Sequence, residues 1–227
     1  MARYCFIGAP GVGKGTFAKI ISSRCDFIHI SLGDVLRREI KAKSAIGKTI
    51  SEYVMGGQLV PDTLACDIIK SEIDGHDKVI IDGFPRTLPQ ARFLEQSVGK
   101  IHAINILLND DVAVQKMLGR RHCIGCNRSF NVADVMNDGF MMPAILPDRS
   151  TCPLGPRDCD SHQQLEIRSD DTEDTIRARF SVYHSNSAPI LDFYRKRSCL
   201  TDFQVRRGVD DVDDLIAVMN QCITDKS

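Results

Sequence analysis

The chain has 227 residues, 43% of them hydrophobic and 26% charged, and its 29 basic and 30 acidic side chains leave a formal charge of -1. That length can bury one substantial core with a small excursion or two, and a near-neutral balance offers no overall field for nucleic acid or an anionic membrane, so any polyanion must be held by a local site. No apolar run reaches the roughly 18 residues of a membrane span, and a first strand starting at Arg3 leaves no room for a leader, so the expectation is a cytosolic monomer with a small-molecule partner.

Arg3 to Gly8 reads as a short strand, followed by a Gly-rich turn and a helical pattern from Gly13 to about Arg24. Phe27 to Ile30, Lys78 to Asp82, Ala103 to Leu108 and Phe203 to Val205 read as further short buried strands separated by helical stretches. Alternating strands and helices predict an α/β core, a parallel five-stranded sheet with helices on both faces. Two segments break the rhythm. Leu32 to Pro61 is largely helical, over Gly33 to Lys43 and Ile46 to Met55, and ends at Gly56-Gly57 before a proline. His122 to His162 lacks helical period, carries four prolines and four cysteines, and reads as a small loop-and-strand module. Both are expected to be mobile flaps. The division is a core of residues 1–31, 62–121 and 163–227, a first insert of 32–61 and a lid of 122–162.

Gly8-Ala9-Pro10-Gly11-Val12-Gly13-Lys14-Gly15-Thr16 has the phosphate-loop spacing, after a strand and before a helix. Glycines let successive N–H groups turn inward around phosphate oxygens, the helix start adds positive partial charge, and Lys14 brings a full one. Gly15 stands where the motif usually has a hydroxyl residue, so Thr16 must supply that hydroxyl. Asp82, closing the strand Val79-Ile80-Ile81, would sit beside the loop at the sheet's C-terminal edge and hold the hydration shell of Mg²⁺; the alternative is a helix-capping or turn aspartate. No Asn-Lys-x-Asp guanine motif is present, which disfavours a GTP switch.

Gly83-Phe84-Pro85-Arg86-Thr87, together with the phosphate loop, Gly33-Asp34-Val35-Leu36-Arg37, Gly119-Arg120-Arg121, Arg168-Ser169-Asp170-Asp171, Arg177-Ala178-Arg179, Tyr183-His184 and Ala188-Pro189, resembles the adenylate kinase family almost end to end. The resemblance implies a core, a monophosphate-binding flap over 32–61, a lid over about 122–162, and the reaction of ATP with AMP to give two ADP. It implies phosphate-gripping roles for Arg37, Arg86, Arg120, Arg168 and Arg179, with Lys14 and the last four of these arginines catalytic. Phosphoryl transfer needs positive groups converging on a spread negative charge, which guanidinium forks serve. ATP would lie on Gly11, Val12, Gly13, Lys14, Gly15, Thr16 and Arg120. AMP would lie against Leu32, Gly33, Arg37, Gln58, Leu59, Val60, Gly83, Arg86, Gln90, Arg168 and Arg179, with Gln90 pairing an adenine edge.

Three positions depart from the family pattern. Leu32 replaces a usual Thr and cannot hydrogen-bond, which leaves a UMP/CMP kinase as an alternative. Lys116 replaces a usual Arg over the donor base, which removes guanidinium stacking and leaves GTP:AMP phosphotransfer as the nearest alternative. Phe130 stands at an aromatic position beside the donor and could partly substitute, or could be a lid-core aromatic.

Cys5, Cys25, Cys66, Cys199 and Cys222 read as buried thiols. Cys123-Ile124-Gly125-Cys126 is a C-x2-C knuckle, and Cys152 with Cys159 is a C-x6-C pair in the same module. A structural four-cysteine Zn²⁺ is expected, with Asp158, Asp160 or His162 able to replace one thiolate. A rival reading takes the module, with Arg120, Arg121, Arg128, Arg149 and Arg157, as a zinc ribbon of an ATP-dependent nucleic-acid-binding protein; the lack of a basic helix or aromatic strand counts against it. The compartment alternative to the cytosol is the mitochondrial intermembrane space.

Overall fold

Strands that are apolar on both faces need a helical cover on each side, and the chain supplies it. The computed structural model describes residues 2–124, 128–147 and 165–224. Its main sheet contains β1 (Ala2–Ile7), β2 (Ile28–Ser31), β3 (Lys78–Asp82), β4 (His102–Leu107) and β8 (Leu200–Gln204), in the order β2-β3-β1-β4-β8. Every pairing is parallel, with Tyr4 opposite Ile80 on one side and His102 on the other. The expected sheet is present, and its last strand starts at Leu200 instead of Phe203. The polar residues there pair across the sheet: Thr201 Oγ1 lies 2.9 Å from His102 Nε2, and Asn105 Nδ2 donates to Asp202 Oδ1 at 2.8 Å. Such cross-strand bonds let a strand continue through polar sequence.

Alternation along β1 divides the core. Tyr4 and Phe6 join Ile80, Ile104 and Ile106 under α1 (Lys14–Cys25), α6 (Asp110–Leu118) and α8 (Val212–Thr224). Cys5 and Ile7 join Val79 and Ile81 under α4 (Asp62–Ile73) and α5 (Leu88–Val98). The long α7 (Glu173–Arg195) contributes Ile176 and Phe180 to the first cluster and Ile190, Phe193 and Tyr194 to the second. Because all five strands run the same way, the loop after β1, Ser31 of β2 and Asp82 of β3 gather at one edge, where such sheets hold ligands.

The first insert is the helix pair α2 (Leu32–Lys41) and α3 (Ala45–Met55). The Ser31 hydroxyl accepts from Asp34 N and Ser44 from Gly47 N, which explains the helix starts. The two helices touch at Gly47, where a Cβ would come within 2.1 Å of Glu39 O. At its far end the insert is tied to α7, since Thr175 Oγ1 donates to Met55 O at 2.9 Å.

A small antiparallel sheet joins the second insert to the residues that flank it, with β5 (Arg120–Cys123) between β6 (Ser129–Asn131) and β7 (Leu165–Glu166). Cys123 and Phe130 are buried there, flanked by Ile145 and Leu165. Phe130 thus has the packing of a lid-core aromatic, one of the two roles expected for it, with only 4% of it exposed. Part of the insert belongs to the core. Val135 and Met142 pack in the cluster of Ala113, Met117 and Val205. Beneath them the buried Lys116 ammonium donates to Ala133 O at 2.9 Å, Met142 O at 2.7 Å and Pro143 O at 3.4 Å. Among the described residues no helix is long and apolar enough to cross a membrane.

Candidate active site

The loop between β1 and α1 has backbone that side chains rarely adopt. Gly8, Gly11 and Gly13 have φ of 148°, 85° and 95°. Gly11 also lies so close to α6 that a Cβ would meet Ala113 O at 2.3 Å. The loop closes on the N-terminus of α1, whose first residue is Lys14. Lys14 Nζ reaches back to donate to Gly8 O and Ala9 O, both at 2.8 Å. Burial pulls its pKa down to about 8, with Asp82 opposing and Arg86 and Arg120 adding to the fall. Thr16, in the first turn of α1, is exposed.

Asp82 sits below this cradle, its Oδ2 2.9 Å from where a Cβ on Gly15 would lie. A side chain at position 15 would crowd the carboxylate, a reason for the glycine that departs from the usual motif. Burial disfavours the ionised carboxyl. The His29 imidazole, whose Nε2 is 3.9 Å away, and then Lys14 outweigh burial and hold its pKa below the ordinary range.

The five expected arginines converge here from separate elements. Arg37 of α2 pairs with Asp34 at 2.5 Å and lies 3.6 Å from Asp170. Arg179 of α7 bonds both Asp170 and Asp171, the latter at 3.1 Å. Arg120, at the start of β5, has its Nε 3.5 Å from Asp171. Arg86 follows β3, is exposed to the cleft, and donates from Nε to Gly83 O at 2.8 Å. Arg168 is brought to about 10, first by burial, then by Arg37 and Arg120. Among the described residues six cations, Lys14 included, thus face the four carboxylates of Asp34, Asp82, Asp170 and Asp171. Such an uncompensated group is a prepared site for a polyanion.

A cleft opens beside the arginines, lined by Leu32, Gly33, Leu36, Arg37, Val54, Gly57, Gln58, Leu59, Val60, Arg86, Gln90 and Arg179. Every residue in the expected acceptor site except Gly83 and Arg168 lines it. Leu32 is buried with Leu36 and Val60 in the apolar wall. The Gln90 amide is engaged at both ends, accepting from Arg86 N at 2.7 Å and donating to Asp62 Oδ1 at 2.7 Å.

Sequence reasoning gave no role to Asp62, His29, Asp170 or Asp171. Asp62 carried the signal of an ordinary acidic first-turn residue after Pro61. The last two lay within a quoted motif, and the run of four residues from Arg168 to Asp171 was the available hint that the arginines come with their own counter-charges. Among the described residues no group of three or more His, Cys, Asp or Glu could hold a metal. Cys123 is buried in the lid; the other three expected ligands, Cys126, Cys152 and Cys159, lie outside the described residues, as do Arg149, Arg157, Asp158, Asp160 and His162.

Residues 6–199 match the sequence profile of the family described as Adenylate kinase. A Plasmodium falciparum protein named GTP:AMP phosphotransferase is 39% identical over 96% of this chain and 95% of its own length. Proteins named adenylate kinase from Borrelia turicatae (34% identical, over 93% of this chain and 95% of theirs) and Acetivibrio thermocellus (36%, over 92% and 93%) are similar end to end as well.

Proposed function

The chain belongs to the adenylate kinase family, and from that premise we propose that it reversibly transfers the γ-phosphoryl group of ATP to AMP, giving two ADP. The observation that carries this is the convergence of Lys14, Arg37, Arg86, Arg120, Arg168 and Arg179 on a glycine cradle. The donor's phosphates enter the loop from Gly11 to Thr16, where Lys14 exchanges its two carbonyl partners for phosphate oxygens. The acceptor lies in the cleft from Leu32 to Gln90, its phosphate on Arg37 and Arg86. Arg120, Arg168 and Arg179 close on the transferring group from the lid side. Because phosphoryl transfer is dominated by positioning and charge stabilisation, no side chain is needed as a general base.

Asp82 and the Thr16 hydroxyl fit a hydrated Mg²⁺, since Asp82 stays ionised at the foot of the cradle. Bound there with the donor, the ion supplies neutralisation of the phosphate oxygens. Water competes with AMP, so the inserts 32–61 and 122–162 must close before transfer, and their motion limits turnover.

GTP as donor is the second reading, favoured by the name of the Plasmodium relative and by Lys116, whose ammonium is taken up by three backbone carbonyls and leaves the base unread. A structural Zn²⁺ on Cys123, Cys126, Cys152 and Cys159 completes the proposal, supported by the C-x2-C spacing and by the burial of Cys123; metal analysis should find about one zinc per chain, and none would remove it. Free thiols at Cys5, Cys66, Cys199 and Cys222 support a reducing setting such as the cytosol. Steady-state rates over ATP and GTP against AMP, UMP, CMP and GMP test the assignment. ATP with AMP should be fastest, and a pyrimidine acceptor ahead of AMP would overturn it.

A further inference from the structure

The amide of Gln90 has its polarity fixed by two partners that cannot exchange roles. Its Oε1 accepts from the backbone N–H of Arg86 at 2.7 Å, and a backbone N–H can only donate. Its Nε2 donates to Oδ1 of Asp62 at 2.7 Å, and a carboxylate can only accept. Turning the amide over would set two donors face to face at Arg86 and two acceptors face to face at Asp62. Asp62 is itself held: its Oδ2 accepts from Thr87 Oγ1 at 2.9 Å, and that hydroxyl accepts from Gln90 N at 3.3 Å. Pro61, Asp62 and the start of α4 thereby fix a side chain on α5.

These bonds leave Gln90 one oxygen lone pair and one N–H, in a fixed order, for whatever enters the cleft that it lines. Adenine carries an amino donor at the position where hypoxanthine and guanine carry an oxygen acceptor. An amide free to turn over serves either, whereas a locked one serves only one.

We propose that Asp62 is a specificity-determining residue acting through Gln90: by locking the amide's polarity it makes the acceptor site select a 6-amino purine over a 6-oxo purine. This rests on the AMP reading above and adds to it a residue that need not touch the nucleotide.

The test compares kcat/KM for AMP and for inosine monophosphate, which differ at that edge. In Asp62→Asn the side chain keeps its shape but can donate as well as accept, which releases one of the two bonds that fix the amide while the Arg86 N–H remains, so the AMP preference should fall about tenfold, largely through gained inosine monophosphate turnover. Thr87→Val removes the hydroxyl link and the helix cap but keeps the Asp62–Gln90 bond, so it should slow both acceptors while holding the wild-type ratio. Equal slowing of both acceptors in Asp62→Asn would overturn the lock alone. A wild-type enzyme that fails to use AMP would overturn the acceptor assignment and the lock with it. In the wild-type protein, ¹⁵N spectra should show one Gln90 side-chain proton protected from exchange and the other free; two rapidly exchanging protons would overturn the lock without any variant.

Discussion

Replacing Arg86 by Met separates what the arginines do for the fold from what they do for the reaction. Arg86 is exposed to the cleft, and among the described residues its side chain makes one hydrogen bond, from Nε to Gly83 O at 2.8 Å. A bond of that kind contributes about 1 kcal/mol, and Met keeps much of the stem's apolar contact. Stability should therefore fall by about 1 kcal/mol, roughly 2–4 °C in Tm for a chain of this size. Activity should respond on another scale. Loss of one preorganised donor aimed at a transferring phosphoryl group costs about 3–4 kcal/mol of transition-state stabilisation, about 10²–10³ in kcat. Thermal unfolding followed by circular dichroism gives the first number and a coupled ADP assay the second. A kcat within about threefold of wild type would refute the role of the arginine ring, and a Tm loss above about 10 °C would show Arg86 to be mainly structural.

The depressed pKa of Lys14 sets a pH dependence. The protonated form binds phosphate, so kcat/KM for ATP, which reports the free enzyme, should fall as pH rises through about 8. The kcat should hold to higher pH because bound polyphosphate favours the ammonium; a kcat/KM flat to about pH 9.5 would contradict this. Lys116→Met should leave the carbonyls of Ala133, Met142 and Pro143 without their donor. It is expected to cost about 2–3 kcal/mol in urea unfolding and to speed amide exchange over residues 132–143, while the ratio of ATP to GTP turnover stays the same.

The parallel sheet was legible because its strands are short apolar runs between helical patterns, and the phosphate loop because its glycines are required by backbone geometry. The start of the last strand is not legible in sequence because Thr201 and Asp202 look like loop residues until their partners His102 and Asn105 are known. Site residues with a distinctive charge, such as Arg37 and Arg179, could be picked out by motif. Their counter-charges could not be assigned in the same way, since an aspartate's role depends on which arginine folding brings to it. The role of Asp62 was invisible for the same reason: its partners Thr87 and Gln90 are 25 and 28 residues away. Phe130 and Lys116 were placed by position in a pattern, and the structure gives each a packing or hydrogen-bonding duty within the lid base.

The central claim is that this ring of cations passes a phosphoryl group between two nucleotides with water shut out. The most direct test mixes enzyme, Mg²⁺ and ATP labelled in the γ-phosphate with excess AMP and follows the label over a single turnover. The label should appear in the β-phosphate of newly formed ADP, with little free phosphate; label released as inorganic phosphate at a comparable rate, or retained on ATP, would contradict the account.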